Sequence, residues 1–142
     1  KMAGSPLLGL ISVIAPVITG GNACLVVAAE HDPCVAITFA EVIATSDVPA
    51  GVINILTGKI TELAPHLAAH ADVNALDLTG ADAELRKSLE EAAAETVKRV
   101  YVPKGLPDFA AAPGTTRLRA FLEIKTVWHP TGALSLSGGT SY

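Results

Sequence analysis

The sequence predicts an α/β fold in which helices cover both faces of a parallel sheet. Short apolar runs rich in β-branched residues alternate four times with helical segments, and the connections are short, as between parallel strands joined by crossover helices. The 142 residues are 50% apolar and 17% charged, so the chain can bury a core and is not of the disordered class.

Each predicted element has a local signal. Apolar runs predict the strands. Glycines mark helix ends, and Asp32 followed by Pro33 marks a helix start. The predicted helices are Leu7–Thr19, Pro33–Thr45, Thr61–His70 and Asp82–Val97. The predicted strands are Ala23–Ala28, Val52–Leu56, Ala75–Leu78 and Arg99–Val102.

The stretch Val48–Gly58 carries the most information. A Pro-Ala-Gly turn leads into the apolar run Val52–Leu56, which stops at Thr57-Gly58. This order predicts a tight turn, a buried parallel strand and a glycine turn at the carboxyl end of that strand.

Asp82–Val97 has the clearest amphipathic pattern in the chain. Its predicted inner face consists of Leu85, Leu89, Ala92 and Ala93, and its predicted solvent face of Glu84, Arg86, Lys87, Glu90 and Glu91.

The alternation of strand and helix breaks after residue 103. Leu106–Thr116, with its prolines and alanines, predicts a linker, and an isolated strand is predicted over Leu118–Trp128. The predicted organisation is a domain over residues 5–103, a linker over 104–116, an extended strand over 117–130 and a Gly/Ser-rich flexible tail over 131–142.

Composition excludes several classes of function. The net charge of −4 offers no electrostatic reason for binding nucleic acid, and the apolar runs are too short to span a bilayer. Cys24 and Cys34 are expected to be buried thiols, and the four histidines lack metal-ligand spacing, so no metal site is predicted. The chain is interpreted as cytoplasmic.

Segments in consistent order resemble the aldehyde dehydrogenase superfamily. Residues 15–22, 26–33, 48–58, 72–80 and 92–100 resemble the family's APALAAGN, LKPAEQTP, PPGVVNVVTG, DVDKIAFTG and AAAKSNLKRV, and residues 122–127 resemble its C-terminal TEVKTV. The resemblance implies a Rossmann-like NAD(P)-binding domain followed by an oligomerisation strand, with the linker where the family has its catalytic domain.

The resemblance implies a reduced cofactor site. Glu30 matches the family's ribose-hydroxyl acceptor, and Gly58, Thr79 and Gly80 keep the turns beside the cofactor. An interpretation without a cofactor stays open for each of these residues. In it, Glu30 is a solvated surface residue, and the glycines are those that any tight strand-to-helix turn requires. Asp77, unusual within a buried strand, either points out of the sheet or disfavours pyrophosphate by charge repulsion.

Other functional positions of the family are not kept. The asparagine and glutamate of its catalysis fall at Gly4 and Pro103, and its cofactor-binding lysine and serine at Val27 and Ala81. Neither cysteine aligns with the family's nucleophile. No catalytic residue is therefore predicted, and binding of NAD or NADP is expected to be weak or absent.

Three functional hypotheses follow. The first is a non-catalytic accessory chain or pseudoenzyme, inactive alone. The second is a subunit or fragment of an active NAD(P)-dependent aldehyde oxidoreductase whose cysteine comes from a missing segment or another chain. The third is a piece of a longer protein. The expected partner is a second copy, joined through Leu122–Trp128, or else a full-length aldehyde dehydrogenase.

Overall fold

The computed structural model describes residues 6–105, 108 and 111–129. Strand and helix alternate through its first hundred residues, as predicted, with small differences at the element ends. The helices are α1 (Pro6–Thr19), α2 (Pro33–Ala44), α3 (Ile60–Ala69), α4 (Ala83–Ala94) and α5 (Thr116–Ala120). The strands are β1 (Cys24–Val27), β2 (Ile53–Leu56), β3 (Ala75–Asp77) and β4 (Arg99–Tyr101).

The four strands form two parallel pairs. β1 pairs with β2, with Cys24 opposite Ile53, and β3 pairs with β4, with Ala75 opposite Arg99. The α/β class and the parallel pairing are thus confirmed, but the described strands form two separate two-stranded sheets.

Each pair has its own apolar cluster. Around the first pair, α1 and α2 bury Leu10, Ile14 and Ala36 against the face that carries Val26 and Ile55. The opposite face of this pair exposes Leu25 and Asn54.

Around the second pair, α3 and α4 bury Ala64, Ala68 and Leu89. The predicted inner face of α4 is confirmed: Leu89 and Ala93 are buried, and Leu85 and Ala92 pack partly buried against the cluster. The five charged residues assigned to its solvent face are all exposed.

The extended strand predicted over residues 117–130 is not formed at residues 117–120. Thr116–Ala120 form the short helix α5, and no strand is present at residues 121–129. Phe121, only 6% exposed, buries its ring beside Tyr101, and this burial favours a compact turn over an extended strand. Part of the predicted linker and the whole predicted tail lie outside the described residues.

The segment Thr116–Leu122, called the α5 clasp below, contacts both halves of the fold. Asn22, at the entry to β1, donates its amide N–H to the carbonyl of Phe121 at 3.1 Å. Arg99, in β4, donates to the carbonyl of Leu122 at 3.3 Å. Because these contacts come from different strand pairs, the α5 clasp connects the two pairs.

Pro16 removes one hydrogen bond from the backbone of α1. A proline has no N–H, so the carbonyl four residues earlier, that of Ser12, loses its intrahelical donor. This carbonyl accepts instead from Arg117 in the α5 clasp, at 3.3 Å. Within the described part of the chain, no helix is both long and apolar enough to cross a membrane.

Candidate functional site

The predicted site residues follow the carboxyl ends of the strands. Glu30 comes after β1, Gly58 after β2, and Thr79 and Gly80 after β3. In open α/β sheets ligands bind outside these strand ends, where the chain turns into the next helix. The geometry around these four residues therefore decides what the edge can hold.

Glu30 and Gly58 lie together at the start of α3. The Glu30 carboxylate accepts the backbone N–H of Ile60, the first residue of α3. Lys59 occupies the N-cap position of this helix without a side-chain capping bond, so Glu30 supplies the acceptor from another segment. Glu30 is thus an exposed residue with a structural contact.

Gly58 is required by local geometry. Its φ of +152° lies at the edge of the range that side chains rarely adopt, and a Cβ there would lie 3.0 Å from a methyl group of Leu63. The glycine is therefore explained by the turn into α3 and its packing.

Thr79 is fully engaged within the protein. Its N–H donates to Oδ1 of Asp77 at 2.9 Å, and its hydroxyl donates to the same oxygen. The hydroxyl oxygen accepts from Nη2 of Arg117 at 2.9 Å. The hydroxyl is thereby used both as donor and as acceptor. Gly80, with φ of +88°, makes the left-handed turn that follows.

Arg117 is the centre of this cluster. Its Nη1 lies 3.3 Å from Oδ2 of Asp77, with the two side chains 12% and 15% exposed. Its guanidinium also lies over the ring of Tyr101, 5.1 Å from the ring centre, and reaches the carbonyl of Ser12. One side chain therefore contacts α1, β4 and the end of β3.

The structure gives Asp77 a partner that neither predicted alternative included. Its carboxylate is partly buried, and it faces Arg117. Arg117 itself was not identified from the sequence. Two signals pointed to a missing polar partner: an aspartate inside an apolar strand, and Pro16, which leaves a carbonyl of an apolar helix without its donor. Neither signal specifies where in the chain the partner lies.

The structure does not assemble the four predicted residues at one point. Glu30 and Gly58 belong to the first strand pair, and Thr79 and Gly80 to the second, and among the described strands the two pairs share no ladder. Ala81, which stands where the resemblance places a serine, packs against the second apolar cluster. Gly4 lies outside the described residues.

The two cysteines differ in their surroundings. Cys24 is half-buried in β1, and burial raises the pKa of its thiol, partly offset by a hydrogen bond from the backbone of Asn54. A raised pKa disfavours the nucleophilic thiolate. Cys34 is exposed, so the prediction that both thiols are buried is wrong for it.

The histidines are surface residues. His31, His66, His70 and His129 are all exposed. In the described ranges no three His, Cys, Asp or Glu side chains lie close enough together to hold a metal ion.

Comparison with known proteins gives a consistent result. A family model described as "Aldehyde dehydrogenase family" matches residues 5–105. Hydroxyisobutyraldehyde dehydrogenase of Mycolicibacterium austroafricanum is 43% identical over 75 residues, 53% of this chain and 15% of the relative. Cytosolic 10-formyltetrahydrofolate dehydrogenase of Xenopus laevis is 32% identical over 100 residues, 70% of this chain and 11% of the relative.

A third relative is the NADP/NAD-dependent aldehyde dehydrogenase PuuC of Escherichia coli strain K12. It is 30% identical over 100 residues, 70% of this chain and 20% of the relative. The chain therefore spans at most about a fifth of the length of these relatives, and its matched part corresponds to the two strand pairs and their helices.

Proposed function

The chain belongs to the aldehyde dehydrogenase family, and from this premise we propose that it is a non-catalytic chain retaining only the cofactor-domain scaffold. The supporting observation is how the polar groups at the strand ends are used. Glu30 contacts the start of α3, and Thr79 is bonded to Asp77 and Arg117. Thr79 is therefore bonded within its own cluster, and Glu30, although exposed, is bonded to the start of α3.

The fit of a nicotinamide dinucleotide to the present residues is poor. Val27 and Ala81 offer no polar side-chain atom where the resemblance places a lysine and a serine; both are half-buried, and Ala81 packs against the second apolar cluster. Each lost hydrogen bond costs about 0.5–1.5 kcal/mol, and more where the lost donor is charged. Starting from a micromolar site, one neutral and one charged loss total about 2–4.5 kcal/mol and lead to a dissociation constant of about 0.03–2 mM.

The arrangement of the thiols supports the absence of catalysis. A nucleophilic cysteine needs a base or a positive environment that favours the thiolate. The pKa of Cys24 is raised by burial, which acts in the opposite direction. Pro103 stands where the resemblance places the general-base glutamate, so that base is missing for either thiol.

The alternative is a fragment or subunit of an active NAD(P)-dependent aldehyde oxidoreductase. The observation that favours it is the span of the match, which covers 11–20% of the relatives' lengths. In that case another segment or chain supplies the cysteine. We also propose a cytoplasmic location, in accord with the 10-formyltetrahydrofolate dehydrogenase relative, whose name describes it as cytosolic.

We also propose that the chain forms a homodimer through its C-terminal segment. Ile124 and Trp128 are each 90% exposed, and Val127 is 67% exposed. Three large apolar side chains within five residues, without a strand partner among the described residues, suit a contact between two chains. A full-length aldehyde dehydrogenase is the alternative partner.

Equilibrium titration with NAD and with NADP tests the proposed function. The unmodified chain is expected to bind neither cofactor with a dissociation constant below about 0.03 mM, whereas Val27→Lys/Ala81→Ser should tighten binding. Low-micromolar binding by the unmodified chain would contradict the proposal. A steady-state assay with small aliphatic aldehydes should give no reduced cofactor. Turnover by the chain that disappears in a Cys24→Ala/Cys34→Ala variant would favour the active alternative.

A further inference from the structure

An apolar groove lies between α1 and α2, beside the first apolar cluster. Ile11 and Ile18 of α1 form one wall, and Phe39 and Val42 of α2 form the other. The volume of the groove is about 270 Å³, and among the described residues that line it only Ser46 has a polar side chain. The groove therefore suits apolar side chains and offers nothing to a charged ligand.

The two helices that form the groove are apolar beyond their inner faces. α1 contains no charged residue, and α2 contains one, Glu41. Leu7, Leu8 and Ile11 of α1 and Val42 of α2 are nevertheless exposed. Helices that are apolar all round normally pack against other protein on every side. The exposed surface of α1 and α2 is therefore an interaction surface.

We infer that this groove binds the C-terminal segment of a second copy of the chain, and that two copies exchange these segments. The assignment rests on the proposed homodimer and names the surface that receives Ile124, Val127 and Trp128. These three side chains are exposed in the described part of the chain, and none of them lines the groove of its own chain. Each chain thus offers both a groove and an apolar segment, as a closed two-fold dimer requires.

The α5 clasp fixes where the exchanged segment begins. The side chain of Leu122 lies against Gly20, at which a Cβ would be 3.0 Å from one of its methyl groups. Asn22 holds the carbonyl of Phe121 at the same place. The segment therefore starts at the end of α1 that carries Ile18, a residue of the groove. Two chains that face each other at this end need only a short crossing to exchange their segments.

The buried area favours a second copy over a partner that supplies a single peptide. The three apolar side chains expose at most about 400 Å², and the groove loses about the same area when they dock. One docked segment then buries about 800 Å² in total, which is the size of a crystal-packing contact. Two exchanged segments bury about 1,600 Å², the usual size of a specific interface.

Val42→Asp tests the groove in the full chain. Val42 is 57% exposed, so this change places a carboxylate in the groove without altering the core. We expect the dimer Kd from sedimentation equilibrium to rise about a hundredfold, because an unpaired carboxylate costs about tenfold in each of the two grooves. Ile37→Asp is the matched control: Ile37 is 47% exposed on the same helix but does not line the groove, so the Kd should stay nearly unchanged.

Trp128 reports on its own burial, because it is the only tryptophan of the chain. Its fluorescence emission should move to shorter wavelength as the protein concentration rises through the Kd, both in the parent and in Ile37→Asp. In Val42→Asp the same shift should require about a hundredfold more protein.

Cross-linking identifies which surfaces meet in the dimer. In a Cys24→Ala/Cys34→Ala background, a Val42→Cys chain is mixed with a Val127→Cys chain and oxidised. A disulfide between the two different chains is expected. It should be absent when Ile37→Cys replaces Val42→Cys.

The outcomes separate the groove from the homodimer. A parent chain that sediments as a monomer overturns both, and a short-wavelength emission of Trp128 in that monomer would place the segment in its own groove. If the parent is a dimer but Val42→Asp weakens it no more than Ile37→Asp does, the groove assignment is wrong and the homodimer stands. Disulfides that join only two Val127→Cys chains would likewise overturn the assignment, since the segments then pair with each other.

Discussion

The guanidinium of Arg117 lies 3.3 Å from the carboxylate of Asp77, and both side chains are nearly buried. The pair connects the end of β3 to a helix that follows the last strand. Asp77 Oδ2 has no hydrogen bond of its own, so its stability in the interior depends on the positive charge beside it.

Removing either partner of this pair should destabilise the fold. Arg117→Ala leaves the carboxylate of Asp77 partly buried and unpaired, which costs about 3 kcal/mol of unfolding free energy. Urea denaturation measures the change, with Arg119→Ala as control, which should stay within about 0.5 kcal/mol of the parent. The double variant Asp77→Leu/Arg117→Met should recover part of the loss. Equal midpoints for Arg117→Ala and Arg119→Ala would show that the pair contributes nothing.

Replacing Val97 with glycine should relieve backbone strain. It ends the α4 region with φ of +54°, a left-handed conformation that a β-branched residue adopts at a cost, and it is 89% exposed. Val97→Gly should therefore raise the unfolding free energy by about 1 kcal/mol. Thermal denaturation is the measurement. The control is Gly105→Ala, at an exposed glycine without a positive φ; a lower melting temperature for Val97→Gly would contradict the account.

The two thiols should react at different rates with iodoacetamide. Cys34 is exposed, whereas Cys24 is half-buried and its pKa is raised above 9.0 by burial. At pH 8 Cys34 is expected to be alkylated at least about tenfold faster, as followed by mass spectrometry of the two peptides. Cys24→Ala and Cys34→Ala variants assign the two phases. Faster labelling of Cys24 would show that its burial does not suppress the thiolate.

The same shift predicts a pH dependence of stability. Because the pKa of Cys24 is raised in the folded protein, the thiol of the unfolded chain loses its proton first as pH rises. The contribution of this group is fully present below pH 9.0 and is lost as pH increases through the folded-state pKa. The unfolding free energy should fall more steeply above pH 9.0 in the parent than in Cys24→Ala, measured by urea denaturation in the same buffers.

Deleting residues 123–142 should convert a dimer to a monomer. This boundary keeps the α5 clasp, whose Phe121 is buried within the same chain, and removes the exposed Ile124, Val127 and Trp128. Sedimentation velocity compares the full and shortened chains. Trp128→Ser should weaken association, and Lys125→Ser, at an exposed polar position nearby, is the matched control. A full chain that sediments as a monomer would rule out the dimer.

Local sequence signals were sufficient for the elements and the family. The apolar run Val52–Leu56 and the period of α4 depend on neighbours a few residues away, so their strand and helix could be predicted with small differences at the ends. The turns at Gly58 and Gly80 were predicted for the same reason, because a backbone conformation with positive φ limits the residue type directly.

Contacts between distant residues were decided only by the tertiary structure. No local pattern shows that the carbonyl left free by Pro16 accepts from Arg117, or that Asp77 is paired with the same side chain. The alternation over residues 122–128 predicts a strand, yet a strand needs a neighbour, and the part of the chain that the structure describes offers none there. The sequence by itself therefore determined the order and type of the elements from α1 to β4 and the glycine turns between them. The division into two strand pairs and the covering of Thr79 follow from long-range packing and charge pairing, which local periodicity does not encode.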